Sequence, residues 1–302
     1  MSTQAVPLAS LDARSGEERR SRRIAILLMC VTMACYTATD SSAKFLAPHL
    51  PLWQIVWARY LGATLFALCL ANPIKHPNML RPERLGLQLV RSLFLLTSTI
   101  LSFIAVRYLQ LAETTAIFFA LPLAIALAAG PILGEWVGPR RFAAILVGFT
   151  GVLVVVRPWT GTFHPAMGLC VANVIVSAGY NMLTRVVAQR DRALTTLIYS
   201  TLVGAILLTP IVLTHWVAPD SLQVTAVMVF IGVVGAFAHW LLILAHARAP
   251  ASILAPFTYT QLIWASLSGL VVFGDVPKPS TLAGAGIVVL AGLYLWWRER
   301  GT

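Results

Sequence analysis

The chain has 302 residues, 58% of them hydrophobic and only 11% charged, against about 25% charged in an ordinary soluble domain. That balance excludes an ordinary soluble globular fold. A net charge of +11 would point to nucleic acid in a soluble protein, so the placement of the charges has to be examined before a partner is inferred.

Apolar stretches of about 17 to 25 residues can cross the hydrocarbon core as helices. In chain order, ten are predicted: 24–46, 52–71, 84–106, 112–133, 140–156, 165–188, 193–214, 219–245, 249–273 and 278–297. Residues 1–23 are polar and Arg-rich and read as a disordered basic tail. Asp12, Glu17 and Glu18 argue against a transit peptide, and the first apolar run is too long for the core of a signal peptide. The loops are short, so the chain reads as one all-α membrane domain in two halves, 24–156 and 165–297.

With the N-terminus inside, sixteen bases fall on the cytoplasmic side: Arg14, Arg19, Arg20, Arg22, Arg23, Lys75, Arg81, Arg84, Arg140, Arg141, Arg185, Arg190, Arg192, Arg248, Arg298 and Arg300. The other face holds Arg107, Arg157 and Lys278. Such an excess of positive charge inside puts both termini in the cytoplasm. The basic tail can also touch anionic lipid. The charge is accounted for by the bilayer, and nucleic acid is not a predicted partner.

A shift of 140 residues lays the second half over the first. It sets Cys30 on Cys170, Ala38 on Ala178, Gly134-Glu135 on Gly274-Asp275 and Ala144 on Gly284. Five crossings per half place the copies in opposite orientations. Inverted repeats of this kind form a substrate site along their seam near the midplane and move by rocking one half against the other.

Four charged residues fall within predicted spans: Asp40, Lys44, Arg59 and Arg91. Each costs on the order of 3 kcal/mol at a helix centre and needs a partner, water or a role. Asp40 and Lys44 are four apart and can pair along one helix face. Asp40 lies about 24 Å above the cytoplasmic end of its span, and Arg59 about 10 Å in from the outer end of the next. One acid shared by two bases leaves a net positive site able to hold a carboxylate. Arg91 enters about 10 Å from the cytoplasmic side with no acid at its level. It either offers its fork to a carboxylate or phosphate or snorkels to the surface, as Lys44 could do on the other side. Asp40 is too short to snorkel and reads as an ion-pair hinge or a proton carrier.

The second half offers uncharged polar groups. Tyr180 and Asn181 fall at the repeat positions of Asp40 and Ser41, with Asn173, His239, Tyr259, Thr260 and Gln261 also inside spans. They either orient a polar ligand or bond helices to one another. His239 is a second candidate for proton coupling. Pro122 and Pro256 free carbonyls inside spans, as hinges or as packing kinks. Gly148, Gly151, Gly284, Gly286 and Gly292 read as surfaces for close helix packing or dimerisation. Cys30, Cys35, Cys69 and Cys170 show no metal spacing and read as small packing residues. HExxH, GxSxG and paired intramembrane aspartates are absent from the sequence, so no enzyme is predicted.

The run Ala112-Glu113-Thr114-Thr115-Ala116-Ile117-Phe118-Phe119-Ala120-Leu121-Pro122-Leu123, with Gly134-Glu135, Gly148 and Gly151, resembles the first EamA-type repeat of the drug/metabolite transporter superfamily. Phe257-Thr258-Tyr259-Thr260-Gln261-Leu262-Ile263-Trp264, with Phe273-Gly274-Asp275-Val276-Pro277 and Gly284, resembles the second. Asp40-Ser41-Ser42-Ala43-Lys44, Arg59 and Arg91 are similar to a bacterial branch whose members carry amino acids or S-adenosylmethionine-like metabolites. One departure is Leu262 at the repeat position of Pro122; the second half has its proline earlier, at Pro256.

The resemblance implies ten transmembrane helices as two inverted five-helix repeats in a bacterial inner membrane. The central cavity would be formed by the first, third, fourth, sixth, eighth and ninth spans. It assigns substrate contact to Asp40, Lys44, Arg91, Tyr180, Asn181, His239, Tyr259 and Gln261. Arg59, Pro122 and Pro256 would gate or support the site. No cofactor or metal is implied, and a monomer or a homodimer can house the cavity. The expected activity is export of a small amino-acid-like or anionic metabolite, such as an amino acid or an opine-type conjugate. Uptake or exchange of a cofactor-like solute (S-adenosylmethionine, riboflavin) and broad drug efflux are the alternatives.

Overall fold

The computed structural model describes residues 8–71, 81–133, 138–159, 164–187, 191–249 and 251–299. The described residues are helical, with no strand among them. Helices α1 (Leu8–Leu46), α2 (Leu52–Ala71), α3 (Leu85–Tyr108), α4 (Leu111–Phe118), α5 (Leu121–Leu133) and α6 (Pro139–Val156) form the first half. The second holds α7 (Ala166–Val187), α8 (Ala193–Thr214), α9 (Leu222–His246), α10 (Ala251–Leu254), α11 (Thr260–Phe273) and α12 (Pro279–Glu299). A 3-10 turn, Ala255–Tyr259, joins α10 to α11. Seven described segments are long and apolar enough to cross a membrane, and 142–156 and 279–294 are shorter apolar helices.

Three predicted elements change. The tail predicted as disordered enters α1 at Leu8. Pro7 sits just before the helix, no further proline occurs until Pro48, and the intervening sequence is rich in Ala, Leu, Glu and Arg, all good helix formers. The predicted fourth and ninth spans are each broken. Pro122 cannot donate to the carbonyl of Phe118 and its ring crowds that turn, so α4 ends at Phe118 and α5 restarts at Leu121. In the ninth, Pro256 opens the 3-10 turn. Although the prolines are offset, the break at Phe119–Ala120 and the junction at Tyr259–Thr260 coincide under the 140-residue shift.

Lipid tails are as apolar as Leu, so helices in a bilayer associate by close packing rather than by escape from water. Small residues make that possible here. A Cβ on Gly62 would stand 2.6 Å from Cα of Gly232, where α2 crosses α9. A Cβ on Gly151 would stand 2.8 Å from the Gly284 carbonyl, where α6 runs along α12. Of the glycines read as surfaces for close packing or dimerisation, Gly148, Gly151 and Gly284 meet helices of the same chain. One buried cluster, including Ile117, Leu123, Ile145, Val152 and Val288, packs α4, α5, α6 and α12 together. Another, including Leu46, Ile55, Phe103, Leu208 and Ile231, ties α1, α2, α3, α8 and α9. Between them the helices leave a cavity.

Candidate functional site

The cavity has a volume of about 660 Å³ and is walled by α1, α2, α3, α4, α5, α7, α9, α10, α11 and the 3-10 turn. Along α1 its lining runs from Met29 to Asp40, about 16 Å at 1.5 Å per residue. Lys44, one turn further, is outside it. The other end of the lining includes His246, whose side chain is exposed, so the cavity opens at the His246 end of the bundle and is shut at the Lys44 end.

Of the residues assigned to substrate contact, Asp40, Tyr180, Asn181, His239 and Gln261 line this space, and Arg59 joins them. Asp40 makes no hydrogen bond or ion pair with a described residue, and Arg59 supplies the opposite charge that acts on it across the cavity. Arg59 is held from behind: Nη1 donates to Thr99 Oγ1 at 2.7 Å, and its guanidinium lies 5.6 Å from the Phe103 ring centroid. His239 Nδ1 and the Tyr36 hydroxyl share a hydrogen bond of 3.1 Å, with their rings edge-on. The Gln261 amide is without a partner among the described residues.

The opposite wall is neutral. Asn173 Oδ1 accepts from Ser98 at 2.7 Å and from Ser177 at 3.2 Å, and the Asn181 amide donates to the Ser177 carbonyl at 2.7 Å. Asn173, Ser177, Tyr180 and Asn181 form a stripe on α7 at spacings of three and four, which the sequence displayed and the prediction did not use as a stripe. Ser98, Thr99 and Ser102 form the matching stripe on α3.

Three of the assigned residues lie elsewhere. The expected Asp40–Lys44 pair is not formed. Lys44 Nζ sits 2.6 Å from Asp275 Oδ2 and 3.0 Å from the Leu109 carbonyl, because the α11–α12 link brings a carboxylate to the end of α1 while Asp40 faces the cavity. Arg91 neither lines the cavity nor snorkels; its exposure is 0%. It donates to Tyr180 Oη (3.2 Å), Thr184 Oγ1 (3.4 Å), the Thr196 carbonyl (2.8 Å), Ser200 Oγ (2.6 Å) and Gln88 Oε1 (3.3 Å). Gln88 Nε2 in turn donates to Asp191 Oδ2 at 2.8 Å, so the counter-charge reaches Arg91 through an amide. Tyr259 stands edge-on to Phe119 with centroids 5.0 Å apart, behind the wall. Neither Pro122, which is exposed, nor Pro256 lines the cavity.

Residues the prediction missed close the Lys44 end. Lys278 Nζ lies 2.8 Å from Oε1 of Glu113, which is 4% exposed and whose Oε2 also accepts from the Gln110 N–H at 3.3 Å. His49 and Asp220 meet at 2.8 Å on the rim, and this hydrogen bond holds the Asp220 carboxyl below the usual carboxylate range. Gly134-Glu135 lies outside the described residues. No group of three or more His, Cys, Asp or Glu that could hold a metal occurs among the described residues.

Comparison with known proteins finds a family and relatives of similar length. The model of the EamA-like transporter family matches residues 23–157 and again 164–297. An S-adenosylmethionine uptake transporter of Rickettsia prowazekii is 24% identical over 270 residues, covering 89% of this chain and 91% of that one. A riboflavin transporter of Vibrio cholerae is 28% identical over 276 residues, with 89% and 91% covered. A pseudopaline exporter of Pseudomonas aeruginosa is 22% identical over 277 residues, with 91% and 97% covered. A solved crystal structure 16% identical in sequence superposes with a TM-score of 0.62 over 90% of this chain and 95% of that one, a likeness of fold alone.

Proposed function

Since the chain belongs to the EamA-like transporter family, a family of multi-pass membrane transporters and not of enzymes, we propose that it exports a small amine-bearing carboxylic acid across a bacterial inner membrane. It works as two inverted five-helix repeats, ten spans in all, with both termini cytoplasmic and access alternating at the central cavity. The observation that carries the reading is the pair Asp40 and Arg59: one acid and one base line the same space without neutralising each other directly. A zwitterion offers its amine to Asp40 and its carboxylate to the Arg59 donors not taken by Thr99, forming charge-assisted bonds across the cavity. The neutral Asn173–Ser177–Asn181 wall then orients the rest of the solute by hydrogen bonding. An opine-type conjugate fits this description, in keeping with the pseudopaline exporter among the relatives.

The second reading is uptake or exchange of a larger cofactor-like solute. Its support is the volume of about 660 Å³, the Tyr36, Phe103 and Phe118 rings in the lining, and relatives that carry S-adenosylmethionine and riboflavin. Untargeted metabolomics of medium and cytosol from deletion and overexpression strains separates the two. Export predicts an amine-bearing acid that accumulates inside the deletion strain and outside the overexpressor. Depletion of a solute from the medium by the overexpressor would establish uptake instead.

A further inference from the structure

Two ion pairs cross the cavity's closed end at positions whose repeat counterparts cannot form the same pairs. Lys44 of α1 bonds Asp275, in the link between α11 and α12, and Lys278 at the foot of α12 bonds Glu113 at the start of α4. Both pairs join the first half of the chain to the second. They converge on one turn, since Lys44 also donates to the Leu109 carbonyl and Glu113 also accepts from the Gln110 N–H. The turn between α3 and α4 is therefore clamped from two sides. Under the 140-residue shift, Lys44 and Asp275 correspond to Thr184 and Glu135, and Glu113 and Lys278 to Ile253 and Gly138. In each counterpart pair the base is replaced by an uncharged residue. The Thr184 hydroxyl is instead drawn to Arg91.

We infer that Lys44–Asp275 and Glu113–Lys278 are the outer gate, and that their one-sidedness sets the empty carrier to rest open to the cytoplasm. The sides named here rest on the orientation given under the proposed function. Opening outward requires both pairs to part; at the repeat-equivalent positions neither base is retained, so opening inward parts no such pair there. A partly buried ion pair loses much when one partner is removed, because the other charge is left unmatched. A carrier that waits open to the cytoplasm collects its solute there, which is the order of events that export needs.

The test is labelling of a Ser102→Cys reporter, which lines the cavity, by a membrane-impermeant maleimide. The reaction is read by mass spectrometry at residue 102 in the full-length protein, so the native cysteines need no change. Intact cells expose the outer face and inverted vesicles the cytoplasmic face. The otherwise unchanged protein should label from the cytoplasmic face and stay protected outside. Asp275→Asn and Glu113→Gln should each raise outside labelling about tenfold, within the range of a typical coupling between two states. The exchange Lys44→Asp with Asp275→Lys should restore protection, which a misfolded variant would not do. Equal labelling from both faces before any gate substitution, or a charge exchange that leaves the outside labelled, overturns the gate. A protease site at the C-terminus reports orientation separately. If it is cut from outside and the reporter labels only from that face until the pairs are neutralised, the gate stands and the orientation is reversed.

Discussion

At the scale of single residues, the structure separates two kinds of intramembrane charge that look alike in the sequence. Asp40 and Arg59 line the cavity; Arg91 and Lys44 are spent on protein partners away from it. The variants should separate accordingly. Asp40→Asn and Arg59→Gln should abolish transport of the native solute, while both proteins remain monodisperse in detergent by size-exclusion chromatography. Arg91→Ala should instead lower thermal stability, because it strands the buried Gln88 Oε1 and takes the donor from the Tyr180 hydroxyl, at a cost of about 1–3 kcal/mol, while Ser200 and Thr196 keep the bond between them. Arg91→Lys should recover part of that loss and no more, since an ammonium cannot reproduce the fork that reaches Ser200 and Tyr180 together. A thermal melt of the three proteins in one detergent decides this. An Arg91→Ala variant of normal stability that fails only in transport would return Arg91 to the binding site.

At the scale of elements, most of the helices were legible because length and apolarity suffice to define them. The predicted spans 52–71 and 193–214 match α2 and α8 residue for residue. The breaks were half legible: Pro122 and Pro256 were visible, yet the sequence did not show that both spans interrupt at repeat-equivalent positions despite the offset between the prolines. Straightening the fourth span should move the Phe118, Leu121 and Ile125 wall, so Pro122→Ala should slow transport while retaining a folded protein. The close crossings were legible only as glycine content, since which helix meets which is set by tertiary packing. A Gly151→Leu side chain would collide with the Gly284 carbonyl and should lower the melting temperature or the yield of folded protein. Gly86→Ala, with nothing within 4 Å of its Cβ, should leave both unchanged. What composition could not reveal was pairing across the halves. Lys44 had a carboxylate four residues away on its own helix, and only the fold shows that Asp275, far along the chain, takes it.

At the scale of the molecule, two layers of polar contact serve different ends of one cavity. Hydrogen bonds around Gln88, Arg91 and Asp191 tie α3 to α7, α8 and their link without a direct ion pair between Arg91 and Asp191. The opposite end is sealed by two ion pairs between the halves. Binding must supply the free energy that opens the sealed end, and only a solute with differential affinity for the two states can shift them. A zwitterion can do this if Asp40 and Arg59 grip it together. The most direct measurement is the thermal unfolding of the purified protein against a panel of amine-bearing acids, their amides and their deaminated forms. A ligand bound only by the folded state raises the melting temperature in proportion to its occupancy. At least one amine-bearing acid should raise it in the native protein, its amide and deaminated forms should not, and Asp40→Asn and Arg59→Gln should each abolish the effect. The same ligand stabilising both variants as strongly as the native protein would contradict this.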